Sequence, residues 1–345
     1  MNIDLLKRLC ETPGAPGHEQ AVRALIEAEI DGLFDEVKTD AMGSLLCRKN
    51  GTGADPEKVM LLCHMDEIAF LVSHVSEKGF VYLQPVGGFD PRNLFSRRVL
   101  CVTESGPIKG VMNPGGRPIH ISKPEDRKKV PDTSEFFVDF GLGEDTKDVV
   151  SVGDSVVMDE PLIEMGTKIV SKALDNRVAC WLGIEAMRAL KESGASPARE
   201  IHVAFTVQEE VGLRGARTAS FAVRPDIGIG IDTTLACDTP GVPDQESTTQ
   251  QGLGFGLHVK DSSFIADRAL VAEFAALAQE KDIPFQRTML AAGGQDGAAA
   301  QQAAAGARAV GIVVGTRYIH TVTEMIDRRD LEAARDILAA YLAAH

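Results

Sequence analysis

The sequence predicts an α/β fold in which a mostly parallel, mixed sheet flanked by helices is interrupted by an inserted small all-β, barrel-like domain. Three observations predict it. Short continuous apolar runs recur at 58–63 (KVMLLC), 201–207 (IHVAFTV), 227–231 (IGIGI) and 310–314 (VGIVV), the pattern of strands covered on both faces. Helix-period stretches alternate with them at 174–190, 264–279 and 331–344, as a layered α/β fold requires. From about 72 to 165 that alternation stops, and β-rich runs separated by Gly and Pro take its place.

Taken in order, the elements support this division. Over 17–34 the residues Val22, Leu25, Ile26, Ala28, Ile30 and Leu33 fall near helical spacing with acidic residues between them, which predicts an amphipathic helix. The run 58–63 follows as a buried strand. Five short runs then come without helical period: 80–86 (FVYLQPV), 97–103 (RRVLCVT), 108–112 (IKGVM), 135–140 (EFFVDF) and 154–158 (DSVVM). The charged segment 123–129 (KPEDRKK) reads as a solvated loop among them, and the alanine-rich run 298–305 as a tightly packed helix. The expected organisation is a discontinuous domain, 1–71 and 166–345, with an insert at 72–165.

Composition limits the function. The chain has 345 residues, 44% hydrophobic and 25% charged, which is globular. Its 36 Lys+Arg against 50 Asp+Glu give a net charge of -14, so phosphate backbones and anionic lipid are repelled. Aromatic residues make up 5% with the single Trp181, which also argues against a stacking platform for single-stranded nucleic acid. No nucleic-acid or membrane partner is expected. The six cysteines form no CxxC pair and the N-terminus MNIDLLKRLC lacks a basic, then apolar leader, so the expected compartment is the reducing cytoplasm.

Acidic residues and histidines fall after the apolar runs. His64 and Asp66 follow the first, Glu209 and Glu210 the second, Asp232 the third, and His320 comes a short loop after the fourth. In an open α/β sheet the strand C-termini form the ligand-binding edge. Asp175 begins the helix at which the chain re-enters the sheet domain. Singly, each such residue is more often a cap or a surface group. Together, imidazoles and carboxylates form a donor set suited to Zn2+, Co2+ or Mn2+. The adjacent Glu209 and Glu210 would repel each other without cations nearby. In an extended segment they point to opposite sides, so one can bind metal while the other serves as general base. Asp66, two residues from His64, is placed to hold its ring.

Other motifs fail. His18-Glu19 begins like HExxH, but Val22 stands where the second histidine belongs. The segment 252–256 (GLGFG) has the wrong spacing for a dinucleotide loop, and neither a GxSxG elbow nor a phosphate-binding P-loop is present. His202, within a strand, reads as a core residue, while His18, His74, His120, His258 and His345 have no acidic constellation around them.

Over nearly its whole length the chain resembles the tetrahedral-assembly (TET) dinuclear metallo-aminopeptidases, the family of glutamyl, leucyl and lysyl aminopeptidases. The matching words are TPGAPGHE at Thr12, HMDEIAF at His64, PVGGFDPR at Pro85, ALDNR at Ala173, EEVGLRGA at Glu209, DTP at Asp238, DSS at Asp261, GGQD at Gly293 and TRYIH at Thr316. The resemblance implies a zinc-exopeptidase-like catalytic domain and two divalent ions per subunit, Zn2+, Co2+ or Mn2+. His64 and Asp232 would ligate one ion and Glu210 and His320 the other, with Asp175 between them and a cis Asp175-Asn176 peptide. Glu209 would act as general acid/base and Asp66 would orient His64. Gly294, Gln295 and Asp296 would lie near the substrate side chain. They stand in a GGQD word where the family usually has GGTD, and Ala69 stands where it usually has Gly.

The implied function is hydrolysis of N-terminal residues from peptides by a homo-oligomer, a dodecamer assembled through the β insert. Its acidity, gathered in a closed shell, would favour basic peptides. The same metal core also suits a deacylase or carboxypeptidase. A non-catalytic assembly subunit, by contrast, would not need Glu209 and the full donor set.

Overall fold

A computed structural model of the chain describes residues 1–344, so His345 lies outside the described residues. The four apolar runs form the adjacent, parallel centre of an eight-stranded sheet, in the spatial order Glu200–Thr206, Lys58–His64, Ile227–Leu235 and Arg308–Thr316. The flanks are mixed. Leu45–Lys49 runs antiparallel to Glu200–Thr206, with Glu36–Thr39 outside it; on the other side Phe255–Lys260 runs antiparallel to Arg308–Thr316 and carries Phe285–Met289. Register aligns the central strand ends: His64 lies opposite Thr206 and Asp232 opposite Val313.

Alternation along Lys58–His64 explains its apolar continuity. Val59, Leu61 and Cys63 enter a core shared with Trp181, Ile229 and Leu338, while Met60 and Leu62 meet Ala204, Ala216, Ala219 and Ala300 on the other face. The first face is covered by the helices Ile3–Glu11, Leu174–Ser193 and Arg328–Ala344, and Trp181 Nε1 donates to the Asn2 carbonyl at 2.8 Å. The second face carries the helices Arg214–Val223 and Gly297–Gln301. The latter approaches so closely that a Cβ on Gly228 would lie 2.6 Å from that of Ala300. The alanine-rich helix is shorter than its sequence pattern, because Ala304 (φ 50°) and Gly306 (φ 91°) leave the helical region. The helix expected over 17–34 is confined to Gln20–Glu29.

Between Ala69 and Met158 six antiparallel strands close into a barrel in the order Ala69–Val75, Phe80–Val86, Phe136–Asp139, Gly106–Pro114, Arg97–Thr103 and Ser155–Met158. Phe70, Val81, Val99, Cys101, Met112, Phe136, Val138 and Val156 fill its core. Ile163–Met165, Lys168–Ser171 and Glu324–Asp327 form a small third sheet through which the chain returns to the Leu174–Ser193 helix. No described helix is long and apolar enough to cross a membrane.

A buried ion cluster joins the two ends of the barrel excursion. Glu67 accepts from Lys172 Nζ at 2.7 and 2.8 Å and from Arg177 at 3.3 Å, and all three residues are at most 4% exposed. Arg177 also donates to the carbonyls of Leu9 and Thr12. Removing one partner from a buried pair leaves a desolvated charge behind, so Glu67→Leu is expected to lower stability by about 3–5 kcal/mol. Glu36→Leu, at the surface pair with Arg48, is expected to cost at most about 1 kcal/mol. Urea unfolding midpoints of the two variants, compared with the parent, test the difference.

Candidate active site

The aligned strand ends and the Leu174–Ser193 helix bring His64, Asp175, Glu209, Glu210, Asp232 and His320 to one wall of a cleft of ≈ 1370 Å³. Asp175 is central. Its Oδ1 lies 3.4 Å from His64 Nε2 and its Oδ2 lies 3.6 Å from His320 Nε2. On the first side His64 Nε2 is 3.9 Å from Asp232 and 3.8 Å from Glu209; on the second, His320 Nε2 is 3.5 Å from Glu210. Two donor groups result, His64 with Asp175 and Asp232, and His320 with Asp175 and Glu210, the donor atoms of each lying within 4.8 Å of one another. A third group comprises His64, Glu209 and Glu210.

Local structure aims these side chains. Ala173 is left-handed and the Asp175-Asn176 peptide is cis, so the regular helix begins only after them. Asn176 then caps it, accepting from the Ala179 amide at 3.2 Å and donating to the Ile231 carbonyl at 2.9 Å, next to Asp232. Glu209 and Glu210 lie in a turn beyond Glu200–Thr206, where Gln208 has φ 56°, and not in the extended segment expected for them. Both Asp66 carboxylate oxygens are committed to that turn, accepting from the Glu209 amide at 3.0 Å and the Glu210 amide at 3.1 Å. His64 is therefore held chiefly by the Asp66 carbonyl, 3.1 Å from Nδ1, with the carboxylate at 3.5 Å.

The electrostatics describe a site short of positive charge. Burial pushes the Glu209, Glu210 and Asp232 carboxyls above the usual carboxylate range. Burial disfavours charge on the imidazoles too, yet Glu209, Asp175 and Asp66 hold His64 well above its ordinary value. Against the same burial, Asp175 and Glu210 lift His320 to about 11. Burial also opposes ionisation of Asp175, but the facing imidazoles of His320 and His64 carry it below the usual range. The shifts on both imidazoles run toward holding a proton, the direction in which a cation of higher charge would act more completely. Glu210 Oε1 is buried without a hydrogen-bond partner, and the N/O donor set suits Zn2+, Co2+ or Mn2+.

The GGQD word divides. Gly294 lines the cleft, whereas Gln295 and Asp296, each 2% exposed, lie behind it. Gln295 lies across Gly230 and Gly311 of two neighbouring strands and accepts from the Gly297 amide at 2.9 Å. Asp296 accepts from Thr206 Oγ1, and burial pushes its carboxyl up to about 6 despite His64 and Thr206.

Several residues to which the sequence assigned no role support or line the site. Glu19 accepts from the Gly17 amide at 2.7 Å and the Gln208 amide at 3.1 Å. Glu324 accepts from the amides of Asp175 and His320. Lys260, Ser263 and Arg287 line the cleft. Glu19 stood in the sequence only within a failed zinc motif and the TPGAPGHE word, and Ser263 within the DSS word, with no role assigned to either; no sequence spacing marked Glu324, Lys260 or Arg287. His258, expected to lack acidic company, lies 3.4 Å from Asp261 and 2.9 Å from Thr288. His202 is paired with Glu200 at 2.7 Å.

The profile of the M42 glutamyl aminopeptidase family matches residues 43–337. The chain belongs to this family. As an M42 chain it is a member of an aminopeptidase, hence hydrolase, family, and it is 30% identical to the lysyl aminopeptidase of Pyrococcus furiosus over 98% of its own length and 96% of the relative's. It is equally similar in structure. The TET aminopeptidase of the marine sediment archaeon Thaumarchaeota archaeon SCGC AB-539-E09 superposes with a TM-score of 0.95 at 31% identity, covering 99% of this chain and 96% of that one. The Pyrococcus horikoshii TET1 peptidase, which can assemble into a tetrahedron or a large octahedral shell, superposes with a TM-score of 0.88 at 28% identity, over 99% of both chains.

Asp296 gives the M42 chain a pH signature. The folded state keeps its proton up to about 6, while the unfolded chain releases it near the ordinary value of 3.8. Between those values the folded state binds more protons, so this group's contribution makes stability fall as pH rises. In metal-free protein, Asp296→Asn is expected to flatten that fall, read from urea midpoints at pH 4 and pH 7. An unchanged slope would show that Asp296 is ionised in the folded state.

Proposed function

We propose that this chain is a two-metal aminopeptidase that removes N-terminal residues from peptides. The observation that carries the reading is Asp175, whose carboxylate faces two separate donor groups, one through each oxygen. His64 and Asp232 would hold one ion, Glu210 and His320 the other, and Asp175 both. Divalent ions bound there supply Lewis-acid polarisation of a peptide carbonyl and water activation. Glu209 is the general acid/base: it lies beside His64 at the cleft wall, and burial raises its carboxyl above the usual range, the direction that suits a group which takes and returns a proton. Asp66 fixes the Glu209-Glu210 turn, and through its carbonyl aims His64.

Residues 1–71 and 166–345 form the catalytic unit in this reading, and 72–165 the unit through which subunits assemble, as a dodecamer. The shell-forming P. horikoshii relative supports self-association. All six cysteines are free, which is consistent with the cytoplasm.

The cleft also bears on specificity. Beyond the donor cluster its charged lining residues are Lys260, Arg287 and Glu246, and neither cation has an ion-pair or side-chain hydrogen-bond partner among the described residues. Two unpartnered cations at the cleft favour an acidic side chain on the N-terminal residue. The overall charge of -14 favours basic substrates at longer range, but salt screens that field beyond about 8–10 Å. The local cations therefore dominate, and Gly294 leaves the wall beside Ser263 open.

A panel of aminoacyl-p-nitroanilides with N-acetylated controls, with and without chelator, tests this function. Free-amine substrates should be cleaved, blocked ones not, and complete metal removal should abolish turnover. Activity confined to blocked substrates would establish a deacylase. Glu209→Gln should lower kcat by about 10²–10⁴-fold with ion stoichiometry unchanged. Glutamyl and aspartyl substrates should exceed lysyl ones in kcat/KM, and Arg287→Glu should reduce that ratio at least about tenfold. A lysyl preference in the parent would refute the specificity.

A further inference from the structure

Two donor groups that share Asp175 work together only if the loop carrying His320 keeps its distance from the turn carrying Asp175. These segments are far apart in sequence, and one side chain touches both. Glu324 is 2% exposed and stands at the start of the strand Glu324–Asp327, opposite Ser171. Its Oε2 accepts from the Asp175 amide at 2.9 Å and its Oε1 accepts from the His320 amide at 2.8 Å. Neither oxygen faces the cleft.

We propose that Glu324 is a positioning residue that ties the shared carboxylate of Asp175 to the His320 side of the site, so that its loss weakens one ion selectively. The proposal rests on the two-ion reading above. The geometry requires both oxygens. Asp175 stands where the backbone leaves helical dihedrals, with ψ 103°, and His320 is left-handed with φ 65°, so neither amide has a place in a regular helix. A single carboxylate satisfies both and leaves His320 Nε2 between Asp175 and Glu210. Neither His64 nor Asp232 is hydrogen-bonded to Glu324, whose two oxygens accept from the Asp175 and His320 amides. Their group is tied instead by Asp66 and by Asn176.

Elsewhere the same arrangement has no site to serve. Asp330 accepts from the amides of Gly252 and Gly254, both at 2.7 Å, and holds the GLGFG turn that opens the strand Phe255–Lys260. A structural role alone would weaken both ions equally or neither.

Glu324→Gln keeps one acceptor and turns the other oxygen into a donor that faces an N–H. Zn2+ titrated calorimetrically into chelator-stripped full-length protein should show two ions in the parent. In Glu324→Gln one ion should bind at least tenfold more weakly and the other within threefold. His320→Ala should weaken the same ion, and adding Glu324→Gln to it should cause no further loss. Equal weakening of both ions, unchanged affinity, or multiplicative effects in the double variant would each overturn the proposal. If the Gln variant does not fold, Glu324→Asp, which retains the carboxyl group but reaches one amide, should show the same selectivity at reduced size, and parent-like affinities would again overturn it. Amide exchange in metal-free protein separates this proposal from the two-ion reading. Peptides containing Asp175 and His320 should exchange at least tenfold faster in Glu324→Gln. If the parent binds no divalent ion, the two-ion reading fails while faster exchange still establishes the tie; unchanged exchange removes the tie itself.

Discussion

The structure turns on the mutual repulsion of carboxylates gathered at the end of a parallel sheet. Asp175, Glu209, Glu210 and Asp232 meet within a few ångström of His64 and His320, largely out of water. Like charges about 4 Å apart repel by about 4 kcal/mol even at an effective dielectric of about 20. The chain tolerates this in two ways. Raised proton affinities of the two imidazoles offset part of the charge, and those of the buried carboxyls offset more of it. Cations of higher charge are the complete answer, which is why a folded, ion-free chain already has the character of a cation receptor.

Around this cluster, carboxylates that do not belong to it hold the backbone. Asp66, Glu19 and Glu324 each accept from two main-chain amides in irregular segments. A carboxyl group has two oxygens with which to fix two amides at once. Left-handed residues such as Gln208 and His320 persist because their amides are fixed in this way. The donor side chains thus extend from short loops whose dihedrals are over-determined by partners from other elements.

The parallel centre of the sheet was legible because strands buried on both faces have an unmistakable apolar signature, and so was the gathering of His64, Glu210 and Asp232 at one edge. Asp175 and His320 were legible by their place after the insert and after the last central strand. The outer strands were not. Leu45–Lys49 and Phe255–Lys260 carry mixed patterns and are defined by pairing partners distant in sequence. Glu324 was invisible for a related reason: it belongs to the small third sheet, and its importance lies in contacts to two amides 149 and 4 residues away. The side-chain direction of Gln295 depends on space left by Gly230 and Gly311, which lie on two other strands. No local pattern encodes such a cradle. The turn at Glu209 and Glu210 was misread as extended because the strand ends at Thr206, and Gln208 takes a conformation that its residue type does not announce.

The barrel excursion leaves the sheet domain just after Asp66 and Glu67 and returns just before Lys172 and Asp175. Glu67 and Lys172, 105 residues apart in sequence, clasp across its base. Seen from the site, everything between them is a closed loop. The entropy of closing a loop grows only logarithmically, by about 0.6 kcal/mol for each doubling of length. The clasp therefore fixes the base of the barrel beside the site, where the His320 loop packs into the barrel core through Val322. Barrel segments away from that contact can be lengthened, reshaped or re-surfaced over evolutionary time at little thermodynamic cost to the donor groups. Folding is subject to the opposite rule, since a contact spanning such a separation forms late and slowly. The feature that frees the barrel to diversify also makes the site among the last parts of the molecule to assemble.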